Sequence, residues 1–314
     1  MRDVHPFTNT AAVRSSDVMD RIAGPAAIHA APRSAVRIGS EAHKELFCGT
    51  FIRSHLDYEP RELPWPVLDD VSLARLRAIP IWSMALQVEL NAGQMVTDFA
   101  ATLRDPLIRA AVALQGAEES RHARMVGTLV ERYGLTATTH PPDLPPTERA
   151  FIGFGYRECM DSFLGFGVFR LAREARFLPD ALVTQFTRVL AEEARHIVFF
   201  INWIAYERVR RGYGFPLLQA AATARGYAGA LIELVRSGGD AKNGSGVFTD
   251  GEAFADLTMA KFLEAALGEN EAQMAALDAR LLRPRVLPAL AALARRAIRT
   301  SERIGAVVRG DGHA

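Results

Sequence analysis

The chain has 314 residues, room for two domains or for one large helical domain with extensions, and enough to bury a sizeable core. Lys and Arg number 37 against 36 Asp and Glu, so the net charge of +1 offers no global field for binding nucleic acid. A hydrophobic content of 49% with 23% charged residues excludes a disordered chain, and two cysteines, Cys48 and Cys159, exclude a disulfide framework or paired Cys-x-x-Cys zinc sites.

Residues 1–39 are rich in Ala, Arg, Ser and Pro without periodicity and read as a mobile arm. Their scattered charges leave no apolar stretch long enough for a signal peptide, and no window of the chain reaches the length a bilayer requires. A cytoplasmic protein without a membrane span is expected. Residues 40–70 should hold a first helix starting at Ser40, with Leu46, Phe47 and Phe51 inward. A segment from Tyr58 to Pro66 follows, whose prolines forbid continuous helix and which should wrap over the core.

From 71 to 213 the pattern is helical and no convincing strand appears. One long helix is expected from Ile81 to Leu103, and a second to Tyr133 opened by Asp105 as N-cap with Pro106 at the first helical position. The short link makes these two an antiparallel hairpin, whereas the proline-rich stretch from Leu135 to Pro146 is a long crossover. A third helix spans Thr147 to Phe177, and a fourth runs from Pro179 and Asp180 to about Arg211, before the break at Gly212. Residues 214–314 add helices over Pro216 to Ser237, Gly251 to Ala276 and Arg285 to Arg303, with a loop near Gly238. The last carries Arg295, Arg296, Arg299 and Arg303, a solvated face or a surface for acidic lipids or a partner.

The second helix contains Glu118-Glu119-Ser120-Arg121-His122 and the fourth contains Glu192-Glu193-Ala194-Arg195-His196. A Glu and a His three apart share one helix face, so Glu119 with His122, and Glu193 with His196, can each clamp a metal ion. The bare spacing arises readily by chance; the five-residue repeat does not. Glu89, the only acid between Val71 and Asp98, and Glu158, beside Asp161, place one carboxylate on each histidine-free helix. Apolar residues follow both histidines, Val126 and Leu129 in one helix and Phe199, Phe200 and Trp203 in the other, so the acids face a core and need a counter-charge.

One Glu from each of two helices and Glu-x-x-His from each of the others resembles the ferritin-like di-iron or di-manganese carboxylate superfamily. The resemblance covers about 71–213. It implies an all-α fold, a ferritin-like four-helix bundle with one long crossover, to which this chain adds N- and C-terminal helices. It further implies metal ligands Glu89, Glu119, His122, Glu158, Glu193 and His196, with Glu119 and Glu193 bridging at the catalytic centre. Hard oxygen and imidazole donors suit two iron ions cycling between Fe2+ and Fe3+, and a manganese–iron pair also fits. Glu118 and Glu192 can accept the distal N–H of an imidazole and fix its tautomer, with Arg121 and Arg195 neutralising them.

The small residues Ala85, Ala92 and Gly93 around Glu89, and Gly155, Ser162 and Gly165 around Glu158, with Gly153 and Gly167 nearby, point either to a substrate cavity or to close helix packing. Phe154, Met160, Phe163, Phe166 and Phe199 would line such a cavity, or else form plain core. The expected function is that of an oxidase or oxygenase: dioxygen is activated at the metal pair to hydroxylate, desaturate or cleave a small organic or acyl substrate, with electrons from a donor protein. Val189 stands where arylamine N-oxygenases carry an extra His, and rubrerythrins need Cys-x-x-Cys pairs that are absent here, so both fit poorly. The alternative is a ferritin-type ferroxidase or iron-handling protein. Such subunits need little beyond four helices, whereas residues 214–314 can shape a substrate pocket or a homodimer interface.

Overall fold

The computed structural model describes residues 36–240 and 257–309, with side chains over 36–236 and 257–302. The expected arm therefore lies outside the described residues except for 36–39, as does the start of the helix expected from Gly251. Nine α-helices, one 3-10 turn and no strand occur among the described residues, and none of those helices is long and apolar enough to cross a membrane.

Helix α1 (Glu41–Arg53) begins where Ser40 accepts the His43 N–H, as N-cap side chains do. It presents Phe47, Cys48 and Phe51 to the core, and the segment behind it, with its 3-10 turn at Pro60–Glu62, folds over the long helix Pro106–Tyr133. A separate helix, α2 (Asp70–Ala78), capped by Asp69 on the Ser72 N–H, precedes the first long one. It falls at the start of the stretch expected to be helical, ahead of the long helix expected from Ile81. Pro80 divides the two, because it has no N–H to give.

Helices α3 (Trp82–Thr102) and α4 (Pro106–Tyr133) form the most extensive helix pair. Asp105 turns the chain between them: its carboxylate accepts the Leu107 and Ile108 N–H groups at 2.9 and 3.0 Å, while Pro106 takes the position that needs no donor. Gly134 ends α4 in the left-handed conformation, at φ 58°. The long connection leads to α5 (Glu148–Glu174), capped by Thr147. Helix α6 (Asp180–Arg210) then closes the core. Phe99, Phe151, Phe200 and Trp203 interlock between α3, α5 and α6, with Phe99 and Phe151 stacked at 4.7 Å.

The remaining helices pack on α5. In α7 (Pro216–Asp240), Tyr227 meets Tyr156 edge-on at 5.0 Å. The helix continues through Gly238 to Asp240, because glycine weakens a helix without breaking it, and the rest of the loop expected there lies outside the described residues. Helix α8 (Met259–Ala275) lies so close to α5 that a Cβ on Gly167 would stand 2.9 Å from that of Ala266. Helix α9 (Val286–Arg309) pairs with α8 through Arg295 and Arg299, both on Glu264. That contact accounts for part of the arginine-rich face; the Arg303 side chain is outside the described residues.

Candidate metal centre

Four helices contribute one carboxylate each, and two of them add an imidazole three residues on. The cluster consists of two overlapping groups, Glu89, Glu119, His122 and Glu193, and Glu119, Glu158, Glu193 and His196, whose ligand atoms lie within 4.8 Å of one another in each group. All six residues picked out as ligands in the sequence thus come together. His122, His196 and Glu119 have side chains at most 1% exposed, Glu193 keeps 13%, and Glu89 keeps 21%. The accessible edge of the cluster is therefore on the α3 side.

The two middle carboxylates span both imidazoles. Glu119 lies 3.5 Å from His122 Nδ1 through Oε2 and 3.0 Å from His196 Nδ1 through Oε1. Glu193 reaches His122 Nδ1 at 3.1 Å with Oε1 and stands 3.8 Å from His196 Nδ1 with Oε2. Glu89 is 3.6 Å from His122 Nδ1. Despite these short separations, neither Nδ1 makes a hydrogen bond of acceptable geometry, and Glu158 Oε2 is buried without any partner. Buried donors and acceptors are almost always satisfied. Two orphaned imidazole nitrogens and an orphaned carboxylate oxygen, converging on two carboxylates that each face both rings, fit a pair of divalent cations.

The opposite nitrogen of each ring is fully engaged, and the connection crosses between helices. His122 Nε2 in α4 pairs at 2.9 Å with Glu192 of α6, and His196 Nε2 in α6 pairs at 2.8 Å with Glu118 of α4. Arginines follow the same pattern: Arg195 donates to Glu118 at 2.9 Å, and Arg121 to Glu192. Each five-residue motif therefore orients the other motif's histidine, turning Nδ1 toward the cluster.

Sequence reasoning missed the layer outside these carboxylates. His55 Nδ1 is 2.6 Å from Glu118 Oε1, and the Tyr58 hydroxyl donates to Glu192 at 2.9 Å. Arg121 lies over the Tyr58 ring, 4.3 Å from its centroid. Arg195 also donates to Ser54 and to the Phe51 carbonyl. All these partners come from the end of α1 and the wrapping segment, which have no helical register with the motifs. Gln115 and Ser162 add hydrogen bonds to Glu119 and Glu193, at 3.3 and 3.2 Å.

The electrostatics separate the carboxylates into two kinds. Burial works against ionisation of Glu118 and Glu119, yet His196, His55 and Arg195, all facing Glu118, outweigh it there, and His196 with His122 outweighs it at Glu119, holding both well below the usual carboxylate range. Glu193 is also held low, against burial, by His122. Burial pushes Glu89 and Glu158 up, with the Glu119 and Glu193 charges adding to it at both, while His122 opposes the rise at Glu89. Burial would lower both imidazoles, but the surrounding carboxylates raise them, His196 to about 10. Such opposed shifts in one buried cluster are typical of functional sites.

Of the small residues, Gly93, Gly155 and Gly167 serve close packing. A Cβ on Gly93 would lie 2.5 Å from Ser120 Oγ, and one on Gly155 2.2 Å from the Phe200 ring. Gly153 and Gly165 have nothing within 4 Å of that position. Phe166 and Phe199 belong to the core, Phe199 also bordering a small pocket with Phe51, Arg195 and Leu281, and Phe163 packs with Ala266 and Ala291. A separate cleft of about 740 Å³, lined by Phe99, Asp105, Glu148, Trp203 and Arg211 among others, contains none of the cluster residues.

Comparison with known proteins finds no match for this chain: no protein-family model, no curated protein and no solved structure.

Proposed function

We propose that this protein is a ferritin-like di-iron oxidoreductase that uses dioxygen to hydroxylate, desaturate or cleave a small organic or acyl substrate. The observation that carries the reading is the pair of unsatisfied Nδ1 atoms facing two carboxylates that each span both rings. Four carboxylates and two imidazoles offset the charge of two divalent cations and favour iron or manganese over thiolate-seeking metals.

Bound iron would supply the redox chemistry with dioxygen. Glu89, Glu119, His122 and Glu193 would hold one ion, and Glu119, Glu158, Glu193 and His196 the other. The remaining residues prepare the site. Glu118 and Glu192 fix both imidazole tautomers with Nε2 protonated, so each Nδ1 lone pair points inward. The core residues behind His122 and His196 exclude water from that side, and the partly accessible Glu89 marks the side for a small apolar substrate to approach. Electrons for turnover would come from a donor protein.

The test is anaerobic Fe(II) loading followed by mixing with dioxygen, a reductant and a panel of acyl and aromatic substrates, with products read by mass spectrometry. Oxidised product formed in repeated turnovers supports the reading. Dioxygen uptake that yields only ferric oxide would favour an iron-handling protein instead. Failure to bind iron, with Glu119→Ala and His196→Ala no different from the parent protein, would exclude both.

A further inference from the structure

Helix α7 has one face on the protein and another facing solvent that is as apolar as a core. Tyr227 and Ala230 are buried, and Gly226 sits so near the Tyr156 ring that a Cβ would meet it at 2.2 Å. On the opposite side, Leu217, Ala221, Ala224, Ala228, Leu231 and Val235 follow one another at spacings of four and three, the seam of a helix pair. All six are exposed, Leu217 by 72% and Val235 by 65%. Leu218 and Ile232 flank the seam and are each more than half exposed, at 54% and 52%. Between Pro216 and Ile232 the helix has a single charged residue, Arg225.

The seam is complementary to itself when reversed. Placed antiparallel about a two-fold axis near Gly226, Leu217 faces Val235 of the second copy, Ala221 faces Leu231, and Ala224 faces Ala228. Large residues meet at the ends, Ala221 meets Leu231 between, and alanines meet at the centre, where two backbones can approach closely. This matches the isologous contact of a two-fold dimer, in which one patch serves both partners. The strip with Phe215 presents on the order of 800 Å², the area a standard interface takes from each partner. A helix lying on acidic lipid carries a basic rim, whereas α7 sets its two arginines, Arg225 and Arg236, against two acids, Glu233 and Asp240.

We infer that α7 is the dimerisation helix of this protein, pairing antiparallel with α7 of a second copy through the Leu217 to Val235 seam. The contact is independent of what the buried cluster does. It also accounts for large apolar side chains that a monomer would leave in water.

Sedimentation of the full chain tests it, together with oxidative cross-linking, in which the native Cys48 and Cys159 stay silent because both are buried. The parent protein should sediment as a dimer that tightens as salt rises from about 50 to 500 mM, since salt screens the facing Arg225 pair and strengthens apolar contact. Ala228→Glu, at an exposed position, should raise the dimer dissociation constant about 100-fold or more with the circular dichroism spectrum unchanged. Ala221→Cys combined with Leu231→Cys should form a covalent dimer, whereas Leu217→Cys alone should not, because its copy lies at the far end of the pair. A monomer, a dimer that loosens with salt, a dimer indifferent to Ala228→Glu, cross-linking through Leu217→Cys alone, or adsorption of monomer to neutral vesicles would each overturn the assignment.

Discussion

Glu118→Gln separates the crossed arrangement from a reading confined to one helix. Glu118 is fully buried and meets three hydrogen-bonding partners, His196 Nε2 at 2.8 Å, Arg195 Nη1 at 2.9 Å and His55 Nδ1 at 2.6 Å, with Arg121 Nη2 further off at 3.9 Å. Glutamine keeps the shape but replaces one acceptor oxygen with an amide that is itself a donor, so at least one donor loses its partner. Leaving a buried charge unpaired costs about 3–5 kcal/mol of stability. The part that reaches the metal is the loss of His196 orientation, expected to weaken that ion about 10- to 100-fold. The affected histidine should be His196 on the other helix, although Glu118 precedes His122 by one turn on its own. Calorimetric titration with Co(II) gives the affinities, and paramagnetically shifted imidazole N–H resonances of the Co(II) protein report each ring separately. Loss of the His122 resonance with that of His196 retained, or unchanged affinity for both ions, would refute the crossed scheme.

The remaining predictions follow from the same geometry. Glu89→Ala should remove mainly the ion nearest His122, and Glu158→Ala mainly the ion nearest His196, because each belongs to one group only; equilibrium dialysis with elemental analysis distinguishes one lost ion from two. Both imidazoles are held above their ordinary range in the metal-free protein, so a metal must displace protons; affinity should rise with pH between about 6 and 8, by up to about tenfold per unit for each proton released. A flat profile in a pH-indicator titration would contradict this. For the metal-free fold the sign is opposite. The raised His196 value stabilises below the ordinary imidazole range and the benefit is lost as pH rises toward about 10, which urea unfolding at two pH values measures. Gly165→Ala, with open space at its Cβ, should stabilise by up to about 1 kcal/mol, whereas Gly155→Ala should destabilise because Phe200 occupies the position. Thermal unfolding of the two variants decides the sign of each.

The long helices and the six side chains that converge between them were legible for a common reason: both are written in local spacing. Glu and His three apart share a face whatever the tertiary structure does, and Asp105-Pro106 or Gly134 marks a helix end by its own conformational preference. What could not be read is set by contacts between distant segments. The crossed pairing of Glu118 with His196 depends on how α4 and α6 face each other, and a carboxylate one turn before a histidine is equally compatible with either ring. His55 and Tyr58 lie in an irregular stretch where no periodicity says which side chain turns inward. The small residues on α3 and α5 were ambiguous because a glycine marks close packing or open space with the same letter. Gly155 beneath Phe200 and Gly165 beside nothing differ only in their neighbours. Helix α7 ran past Gly238 because propensity is a weak term over one residue.

The central claim is that two metal ions sit between His122 and His196, and anomalous diffraction from crystals grown with Fe(II) under anaerobic conditions tests it most directly. The account predicts two iron peaks about 3.5–4 Å apart, one at each Nδ1, with Glu119 and Glu193 between them. A single peak, no peak, or a peak only at the His55, Glu118 and Glu192 group would contradict it.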